Sequence, residues 1–196
     1  MQVPKQDIHN AILASAKREF AAHGYKKASM RQIATGTGIT PGNIYAYFSG
    51  KEQLFAAVIS PVADRIDALC RLQLPNGQSE PPASAHSLLN LIVQEITQIY
   101  LAYRDEFFIL LLGSEGSAFA DRKSEVIKAA ARPIYEYLVR EDQTADAHLL
   151  AQALSTAVLE GLCVIFRNAD DDKTRLAATI SDYLQRLFSP EVKLYE

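Results

Sequence analysis

Residues 29–48, SMRQIATGTGITPGNIYAYF, decide the fold of this 196-residue chain. Ser29 and Gln32 have the spacing of a capping box, in which a hydroxyl and an amide side chain satisfy free backbone groups at a helix start. Thr40 offers a second hydroxyl as an N-cap, and Pro41 suits the first position of a helix. The stretch therefore predicts two short helices in succession.

The segment between these two helices is rich in glycine. The first helix must end near Gly36, and Gly38 can adopt the positive φ that a tight turn requires. Three isoleucines are expected to form the core between the helices: Ile33, Ile39 and Ile44. Two short helices on either side of a glycine-containing turn predict a helix-turn-helix.

The segments that flank this motif are also predicted to be helical. A first helix from about Asp7 carries apolar residues at a spacing of four and stops at Gly24 as a left-handed cap. After the motif, Ser49 and Glu52 have the spacing of another capping box, which predicts the start of a longer helix. Apolar residues recur at spacings of three and four along the whole chain, without the sustained alternation of a strand. The predicted fold class is therefore all-α.

The predicted architecture is an N-terminal three-helix helix-turn-helix module joined by a longer helix to a C-terminal helical domain, about nine helices in total. A polar, proline-rich break at 75–84 is the one obvious long loop. Pro133 predicts a kink in its helix, because proline lacks a donor and clashes with the preceding turn. The later helices are expected at about 118–140, 147–168 and 173–188, and the two domains at 1–50 and 51–196.

Charge is distributed unevenly along the chain. The net charge of −3 argues against a nucleic-acid partner, yet residues 1–52 carry seven basic and three acidic residues, a net charge of +4. The remainder must then carry −7. A basic N-terminal quarter on an acidic body favours contact with a polyanion at one end only.

Several other function classes lack support in the sequence. GTGITPG at 36–42 looks like a dinucleotide-binding loop, but it follows an amphipathic helix rather than a strand. The four histidines and two cysteines are scattered, so no catalytic residues, metal ligands or cofactor are predicted. The N-terminus has no apolar core behind a basic start, and no uninterrupted apolar stretch approaches the roughly 18 residues of a membrane span. The expected location is the cytoplasm, away from membranes.

Two runs of sequence resemble the TetR family of bacterial transcriptional regulators. They are F-x-x-x-G-Y-x-x-A-S-M-R-Q-I-A, residues 20–34, and G-I-T-P-G-N-I-Y-A-Y-F-S-G-K-E-Q-L-F, residues 38–55. One departure, Thr35-Gly36-Thr37, is expected to loosen the turn slightly while leaving the core positions intact. The resemblance implies a regulator, most often a repressor, that binds a palindromic DNA operator as a homodimer and responds to a small molecule.

The second short helix is expected to dock in the major groove, where base edges carry a distinct pattern of donors and acceptors. Asn43 is the predicted base contact, because its amide both donates and accepts. The resemblance implies that Tyr45 and Tyr47 direct hydroxyls at phosphates and that Lys51 is a phosphate-binding lysine. The predicted DNA-binding residues are Lys27, Ser29, Arg31, Thr40, Pro41, Gly42, Asn43, Tyr45, Tyr47 and Lys51.

The resemblance assigns a ligand cavity and a dimer interface to the helical body. Candidate pocket residues, which are predicted to favour an apolar or aromatic ligand, are Glu95, Tyr100, Tyr103, Phe107, Phe108, Phe119 and Tyr135. Candidate interface residues of a symmetric four-helix contact are Ala151, Leu154, Ser155, Val158, Leu162, Ile180, Tyr183, Leu184 and Leu187. For any single one of these aromatic residues, a place in a plain core is the favoured interpretation. The alternative function is a helical small-molecule or protein-binding module without sequence-specific DNA binding.

Overall fold

The computed structural model describes residues 5–71, 85–139, 146–170 and 172–188. Within these ranges the chain forms nine α-helices and no strand, so the all-α prediction is confirmed. The helices are α1 Lys5–Lys27, α2 Met30–Thr35, α3 Pro41–Ile44, α4 Lys51–Cys70, α5 Ala85–Ala102, α6 Arg104–Gly113, α7 Arg122–Tyr137, α8 Ala147–Asn168 and α9 Lys173–Leu187. The predicted loop at 75–84 lies outside the described residues.

The described residues divide into two compact units. The first is drawn from within 1–72 and 93–126, and the second from within 73–92 and 127–196. In the first unit α1 packs against α2, α4 and α6, and α2 packs against α3. The predicted boundary at residue 50 is therefore not a break in packing, because α4 and α6 share a core with the helix-turn-helix. The functional division at that residue stays a prediction.

The core of the first unit begins with the apolar stripe of α1. Ile12, Ala16 and Phe20 are buried, as their spacing of four predicts. The ring of Phe20 meets that of Phe55 on α4 edge-on, with centroids 4.9 Å apart. Tyr25 also contacts Phe55, at a centroid distance of 5.1 Å. These aromatic contacts fix the end of α1 against the start of α4.

Gly24 marks a kink in α1. Its φ of 66° is positive, which residues with a Cβ rarely adopt, but its ψ of 171° lies outside the left-handed helical region, so the predicted left-handed cap is wrong. The helix does not stop there, because the N–H of Ala28 donates to the carbonyl of Gly24 and one more turn follows, to Lys27. A methyl group on Gly24 would lie 3.2 Å from the carbonyl oxygen of Gly113 at the end of α6. The glycine therefore permits both the kink and the close approach of α6.

One predicted helix start, that of α7, needs correction. The predicted start of α7 at residue 118 is wrong, since residues 114–121 form turns and the helix begins at Arg122. These turns include a bond of 2.7 Å from the hydroxyl of Ser117 to the carbonyl of Ser114. A hydroxyl that bonds locally competes with helix formation, which explains the later start. Pro133 lies inside α7, as predicted.

The second unit contains the contact between α8 and α9. The bounds of α8 agree with the prediction, and α9 ends one residue earlier than predicted, at Leu187. Gly161 on α8 leaves room for the ring of Tyr183, whose hydroxyl donates to the carbonyl of Ala157. The small residues of α8 therefore accommodate a side chain of the same protomer.

Among the described helices, α8 alone is long and apolar enough to cross a membrane by length and composition. Its mean hydropathy over the best window is 1.9, and 39% of that window is buried. The sequence-based expectation, which considered uninterrupted apolar runs, missed it because Gln152 and Glu160 interrupt the run. The core helix of a globular protein has the same composition, and α8 buries one face in the second unit.

Candidate nucleic-acid interface

The start of α2 is held by two side chains. The hydroxyl of Ser29 accepts the N–H of Gln32 at 3.4 Å, as the capping box predicts. The reciprocal bond to the N–H of Ser29 comes not from Gln32 but from the carboxylate of Glu19 on α1, at 3.0 Å. Both backbone donors are satisfied, and one of the bonds fixes α2 directly to α1.

The turn between α2 and α3 rests on α1. The buried hydroxyl of Ser15 donates to the carbonyl of Ile33 at 3.0 Å. A Cβ on Gly36 would lie 2.5 Å from that hydroxyl oxygen, so the turn can approach α1 because residue 36 is glycine. The hydroxyls of Thr35 and Thr37 donate to the carbonyls of Arg31 and Ala34, at 2.9 and 2.7 Å. The two threonines thus bond back to carbonyls of α2, and the loosening of the turn stays a prediction.

Helix α3 presents almost its whole surface to solvent. Ile44 is its buried residue, and Pro41, Gly42 and Asn43 are exposed. Thr40 has the extended conformation of an N-cap, but its side chain makes no capping bond, so that part of the prediction is wrong. The exposed predicted DNA contacts of this helix and its flanks are Thr40, Pro41, Gly42, Asn43 and Tyr45.

The two tyrosines after α3 differ in exposure. Tyr45 is 54% exposed, whereas Tyr47 is half-buried. Phe48 is buried and stacks on His9 of α1, with ring centroids 5.0 Å apart. The hydroxyl of Tyr45 is therefore the freer of the two for a contact outside the protein.

The start of α4 differs from the predicted capping box. Gly50 is the N-cap, and the N–H of Ser49 donates to the side chain of Gln53 at 2.6 Å. Glu52 turns elsewhere and accepts the N–H of Ala118 at 2.9 Å. A hydrogen bond from its hydroxyl to Glu52 raises the pKa of Tyr25 to about 12. The carboxylate thus joins α4 to residues 25 and 118 instead of capping its own helix.

Lys51, the predicted phosphate-binding residue, is half-buried and already has three contacts. Its Nζ lies 3.3 Å from the carbonyl oxygen of Lys26 and 3.2 Å from that of Ala28. The same atom lies 4.5 Å from the centroid of the Tyr25 ring. Its ammonium group therefore faces the chain between α1 and α2.

The other predicted phosphate contacts flank α2. Lys27 and Arg31 are exposed, and Ser29 is half-buried by its capping role. Nearby, Lys26 pairs with Glu115 at 2.6 Å. Lys17 of α1 pairs with Glu106 of α6 at 3.0 Å, and this hydrogen bond raises the pKa of Lys17. Lys27 and Arg31 are thus the basic side chains of the predicted set that face solvent.

The sequence-based reasoning missed three side chains that hold this interface: Glu19, Tyr25 and Glu52. Glu19 lies ten residues before the amide it accepts, and Glu52 lies 66 residues before Ala118. No local spacing rule connects residues so far apart. Tyr25 and Glu52 do fall within the two runs quoted above, which is the signal that could have marked them.

Residues 12–58 match the family described as bacterial regulatory proteins, tetR family. The N-terminal segment of the chain is thus similar to the TetR family. Its sequence is 28% identical over 116 residues to the HTH-type transcriptional regulator UidR of Escherichia coli (strain K12), covering 59% of this chain and 55% of UidR. It is 42% identical over 55 residues to the HTH-type transcriptional repressor AcnR of Corynebacterium efficiens, covering 28% and 29% of the two chains. The matches thus span about half of UidR and less of AcnR.

A solved TetR-family regulator shares the fold over nearly the whole chain. The structure of a TetR-family transcriptional regulator from Bordetella parapertussis 12822 matches with a TM-score of 0.68 at 20% identity, covering 96% of this chain and 98% of that one. The likeness extends to the helices that follow the helix-turn-helix. The TetR-family architecture therefore holds for the body as well as for the N-terminal segment.

The predicted pocket residues lie in different surroundings. Tyr100 and Phe107 are buried, and both contact Phe108 edge-on, with centroids 6.0 and 5.6 Å apart. The ring of Tyr103 lies 5.3 Å from the guanidinium group of Arg65, and the ring of Phe119 contacts that of Phe55. Glu95 is exposed. Tyr135 stacks on His148 in the second unit. The pocket stays a prediction, with Tyr100, Phe107 and Phe108 packed as one aromatic cluster.

The predicted dimer residues are largely used within the protomer. Five are buried, namely Ala151, Ser155, Val158, Leu162 and Ile180, and four are half-buried, namely Leu154, Tyr183, Leu184 and Leu187. The exposed apolar side chains of α8 are different ones: Leu149 at 72%, Val164 at 59% and Leu150 at 38%. Since α8 is apolar on more than one face, its sequence did not indicate which face remains open. The interface stays a prediction.

Proposed function

We propose that this protein is a TetR-like transcriptional repressor that binds a palindromic operator as a homodimer and is released by a small apolar or aromatic ligand. The observation that carries the proposal is the exposure of α3. A four-residue helix with one buried side chain contributes little to a core, yet α2 packs against it, and α2 is itself held by α1. Support of this kind is expected for a surface that must meet a partner in a fixed geometry.

The proposed contacts with DNA divide into two kinds. Asn43 reads a base, because an exposed amide matches the donor and acceptor pair of adenine in the major groove. Lys27 and Arg31, together with the hydroxyls of Thr40 and Tyr45, contact phosphates, which fix the register without reading sequence. Pro41 and Gly42 are proposed to allow close approach of the backbone to the duplex. Ser29 and Tyr47, which are half-buried, are proposed to lie at the edge of the DNA-binding surface. Lys51 is also proposed to contact a phosphate, through the N–H of its ammonium that the two carbonyls leave available.

The homodimer is proposed to form through α8 and α9. Leu149 and Val164 are large apolar side chains that remain exposed on α8, and an exposed apolar face is stabilised by burial against a second copy. A two-fold dimer would present two α3 helices to half-sites about one helical turn, or a multiple, apart. The proposed location of such a regulator is the cytoplasm, and it is not proposed to catalyse a reaction.

The repressor assignment is supported by the 42% identity to the repressor AcnR over 55 residues. The effector is proposed from the aromatic residues of α5 and α6, which offer apolar surface to an aromatic molecule. The second candidate, a helical binding module without sequence-specific DNA binding, is favoured by the acidic body, whose net charge is −7 against +4 for residues 1–52.

Selection of duplexes from a random pool separates the two candidates. The regulator should enrich a palindromic sequence, and its affinity should fall steeply with salt as phosphate contacts release counterions. Asn43→Ala should weaken binding to the selected duplex by about 5-fold to 150-fold and leave binding to unrelated duplexes unchanged. Gln98→Ala, an exposed amide on α5, is the matched control and should bind as the wild type does.

Lysine variants provide the second arm of the test. Lys27→Ala should weaken binding to all duplexes and reduce the slope of log affinity against log salt by about 0.9. Lys128→Ala, an exposed lysine on α7, is the control for charge alone. A protein that enriches no sequence, or whose affinity is insensitive to salt, would be a binding module and not a regulator.

A further inference from the structure

Two side chains of α1 bond to the two ends of α2. The hydroxyl of Ser15 donates to the carbonyl of Ile33 at 3.0 Å, and the carboxylate of Glu19 accepts the N–H of Ser29 at 3.0 Å. Ser15 and Glu19 are four residues apart, so they lie on the same face of α1. Their partners are also four residues apart, in the reverse order. Helices α1 and α2 therefore run in opposite directions where they meet, in a defined register.

The backbone of α2 satisfies neither of these partners. The N–H of Ser29 precedes the helix, and the carbonyl of Ile33 lies in its last turn. The N–H of Thr37, four residues after Ile33, donates to the carbonyl of Ala34 instead. Both bonds from α1 are shielded from water, because the serine is buried and the glutamate side chain is 15% exposed. Loss of either bond would leave a poorly hydrated polar group without its partner, which is destabilising.

The glutamate takes a role that the sequence assigns to Gln32. In a capping box, the side chain at the third position of a helix accepts the N–H of the N-cap residue, and such a bond stays within that helix. Gln32 is exposed, and the N–H of Ser29 is bonded by Glu19 instead. The start of α2 is therefore fixed to a neighbouring helix.

The position of α3 depends on α2. Helix α3 has one buried residue, Ile44, and it packs against α2. A binding surface must be held within about 0.5 Å and 10–20° of its productive geometry. The two bonds from α1 lie about one helical turn, roughly 6 Å, apart along its axis. Two bonds at this separation resist tilting of α2 on α1 as well as sliding, which a single bond would not.

We infer that Ser15 and Glu19 form a two-point polar clamp that sets the register of α2 on α1, and that Glu19 is a positioning residue for DNA binding. The inference rests on the proposed function. Charge alone predicts the opposite effect of Glu19. A carboxylate in a basic module that meets a polyanion repels phosphates, so its removal should strengthen binding to every duplex.

Two variants of Glu19 separate reach from charge. Glu19→Asp keeps the charge and withdraws the carboxylate by one methylene group, so the bond to Ser29 is lost. Glu19→Gln removes the charge and keeps an acceptor oxygen at the same reach. Asp64→Asn, at an exposed carboxylate on α4, is the matched control for loss of charge. Binding is measured with the duplex that the wild-type protein selects from a random pool, at a temperature where thermal unfolding curves show every variant to be folded.

Glu19→Asp should weaken binding by about 3-fold to 10-fold, which corresponds to about 0.6–1.4 kcal/mol, the contribution of one hydrogen bond. Glu19→Gln should bind at least as tightly as the wild type, and Asp64→Asn should bind as the wild type does. The slope of log affinity against log salt should be unchanged in Glu19→Asp, since no phosphate contact is removed. The inference fails if Glu19→Asp binds as the wild type does, or if Glu19→Gln weakens binding as much as Glu19→Asp.

The other point of the clamp is tested by Ser15→Ala. This variant leaves the net charge unchanged and removes the donor to Ile33. It should weaken duplex binding by a factor similar to that of Glu19→Asp, again without a change in the salt slope. Wild-type binding by Ser15→Ala would overturn the two-point clamp.

Hydrogen exchange followed by NMR tests the clamp in the free protein. The amide of Ser29 should exchange several-fold faster in Glu19→Asp than in the wild type or in Glu19→Gln. Gln32→Ala should leave that rate unchanged, because the acceptor belongs to α1. A faster rate in Gln32→Ala would show that Gln32 accepts this N–H, and it would overturn the inference.

The two hypotheses fail in different ways. If the wild-type protein binds no duplex, the proposed function is wrong, and the exchange rates of the Ser29 amide still decide whether α1 holds the start of α2. If Glu19→Asp does not fold, the binding of Glu19→Gln and the exchange rate in Gln32→Ala decide the inference.

Discussion

Replacement of Gly24 by alanine should destabilise the protein strongly, for two separate reasons. A φ of 66° with a ψ of 171° is nearly restricted to glycine, and imposing it on alanine costs about 1–3 kcal/mol. The added methyl group would also lie 3.2 Å from the carbonyl oxygen of Gly113, a backbone atom that cannot rotate away. Overpacking of this kind costs about 1–3 kcal/mol. Alanine also restricts the unfolded chain, which offsets about 0.4–1 kcal/mol of these two costs and leaves a net loss of about 1–6 kcal/mol.

Two other glycines separate the contributions. Gly38 has a φ of 71° but open space around its Cα, so Gly38→Ala should incur backbone strain without a clash. Gly42 has neither a positive φ nor a neighbour within 4 Å, and Gly42→Ala should be neutral or stabilising by up to about 1 kcal/mol. Chemical denaturation of the three variants and the wild type, monitored by helical circular dichroism, gives each free energy of unfolding. The expected order of stability is Gly42→Ala, then Gly38→Ala, then Gly24→Ala.

Gly113, on the other side of the contact between α1 and α6, provides a control variant for Gly24→Ala. Gly113→Ala places a methyl group 3.5 Å from the Cα of Gly24, which is ordinary contact, so it should cost much less than Gly24→Ala. If Gly24→Ala is as stable as Gly42→Ala, the kink and the close approach of α1 and α6 do not limit this position, and the reasoning is refuted.

Three further predictions concern ionisation, an ion pair and association. The stability that Tyr25 contributes is present below pH 10 and should be lost as the pH rises from 10 towards about 12, because the unfolded chain releases the phenolic proton first. Glu52→Gln should return the pKa of Tyr25 towards 10.0, which is measured by the absorbance of the phenolate. Lys17→Met should lower the free energy of unfolding by about 1 kcal/mol or less at low salt, with a smaller loss at high salt, since the pair with Glu106 is partly exposed; equal loss at both salt concentrations would contradict this. Val164→Asp should shift the proposed homodimer towards monomer in sedimentation without lowering the helix content, and unchanged sedimentation would exclude this face of α8 from the proposed interface.

The local features of the fold were predictable because they depend on residues close in sequence. The hydroxyl cap of Ser29, the positive φ of Gly38 and the bounds of α8 each follow from neighbours within a few positions. The predicted capping box at Ser49 was wrong because Glu52 accepts the N–H of Ala118, 66 residues away, and no rule based on neighbouring residues reveals that partner.

The exposed residues of the candidate nucleic-acid interface were predictable from the sequence, whereas the contacts that hold the interface in place were not. Asn43 and Tyr45 could be placed outside because Ile44 between them belongs inside. The contacts of Lys51 depend on where the end of α1 meets the start of α4, and that meeting is set by packing of the aromatic core. Apolar faces were also ambiguous on α8, where the helix pattern marks residues that avoid water without saying which neighbour covers them.

The isolation of Ile44 as the buried residue of α3 bears on how such a protein can evolve. Substitutions at Gly42, Asn43 or Tyr45 alter the outward face without removing a core contact, so they should change sequence preference with little effect on folding. Duplicated copies of this gene could therefore diverge towards new operators while the scaffold stays under separate selection. DNA recognition and folding stability would then be nearly independent traits, because Ile44 is the residue by which α3 contributes to the core.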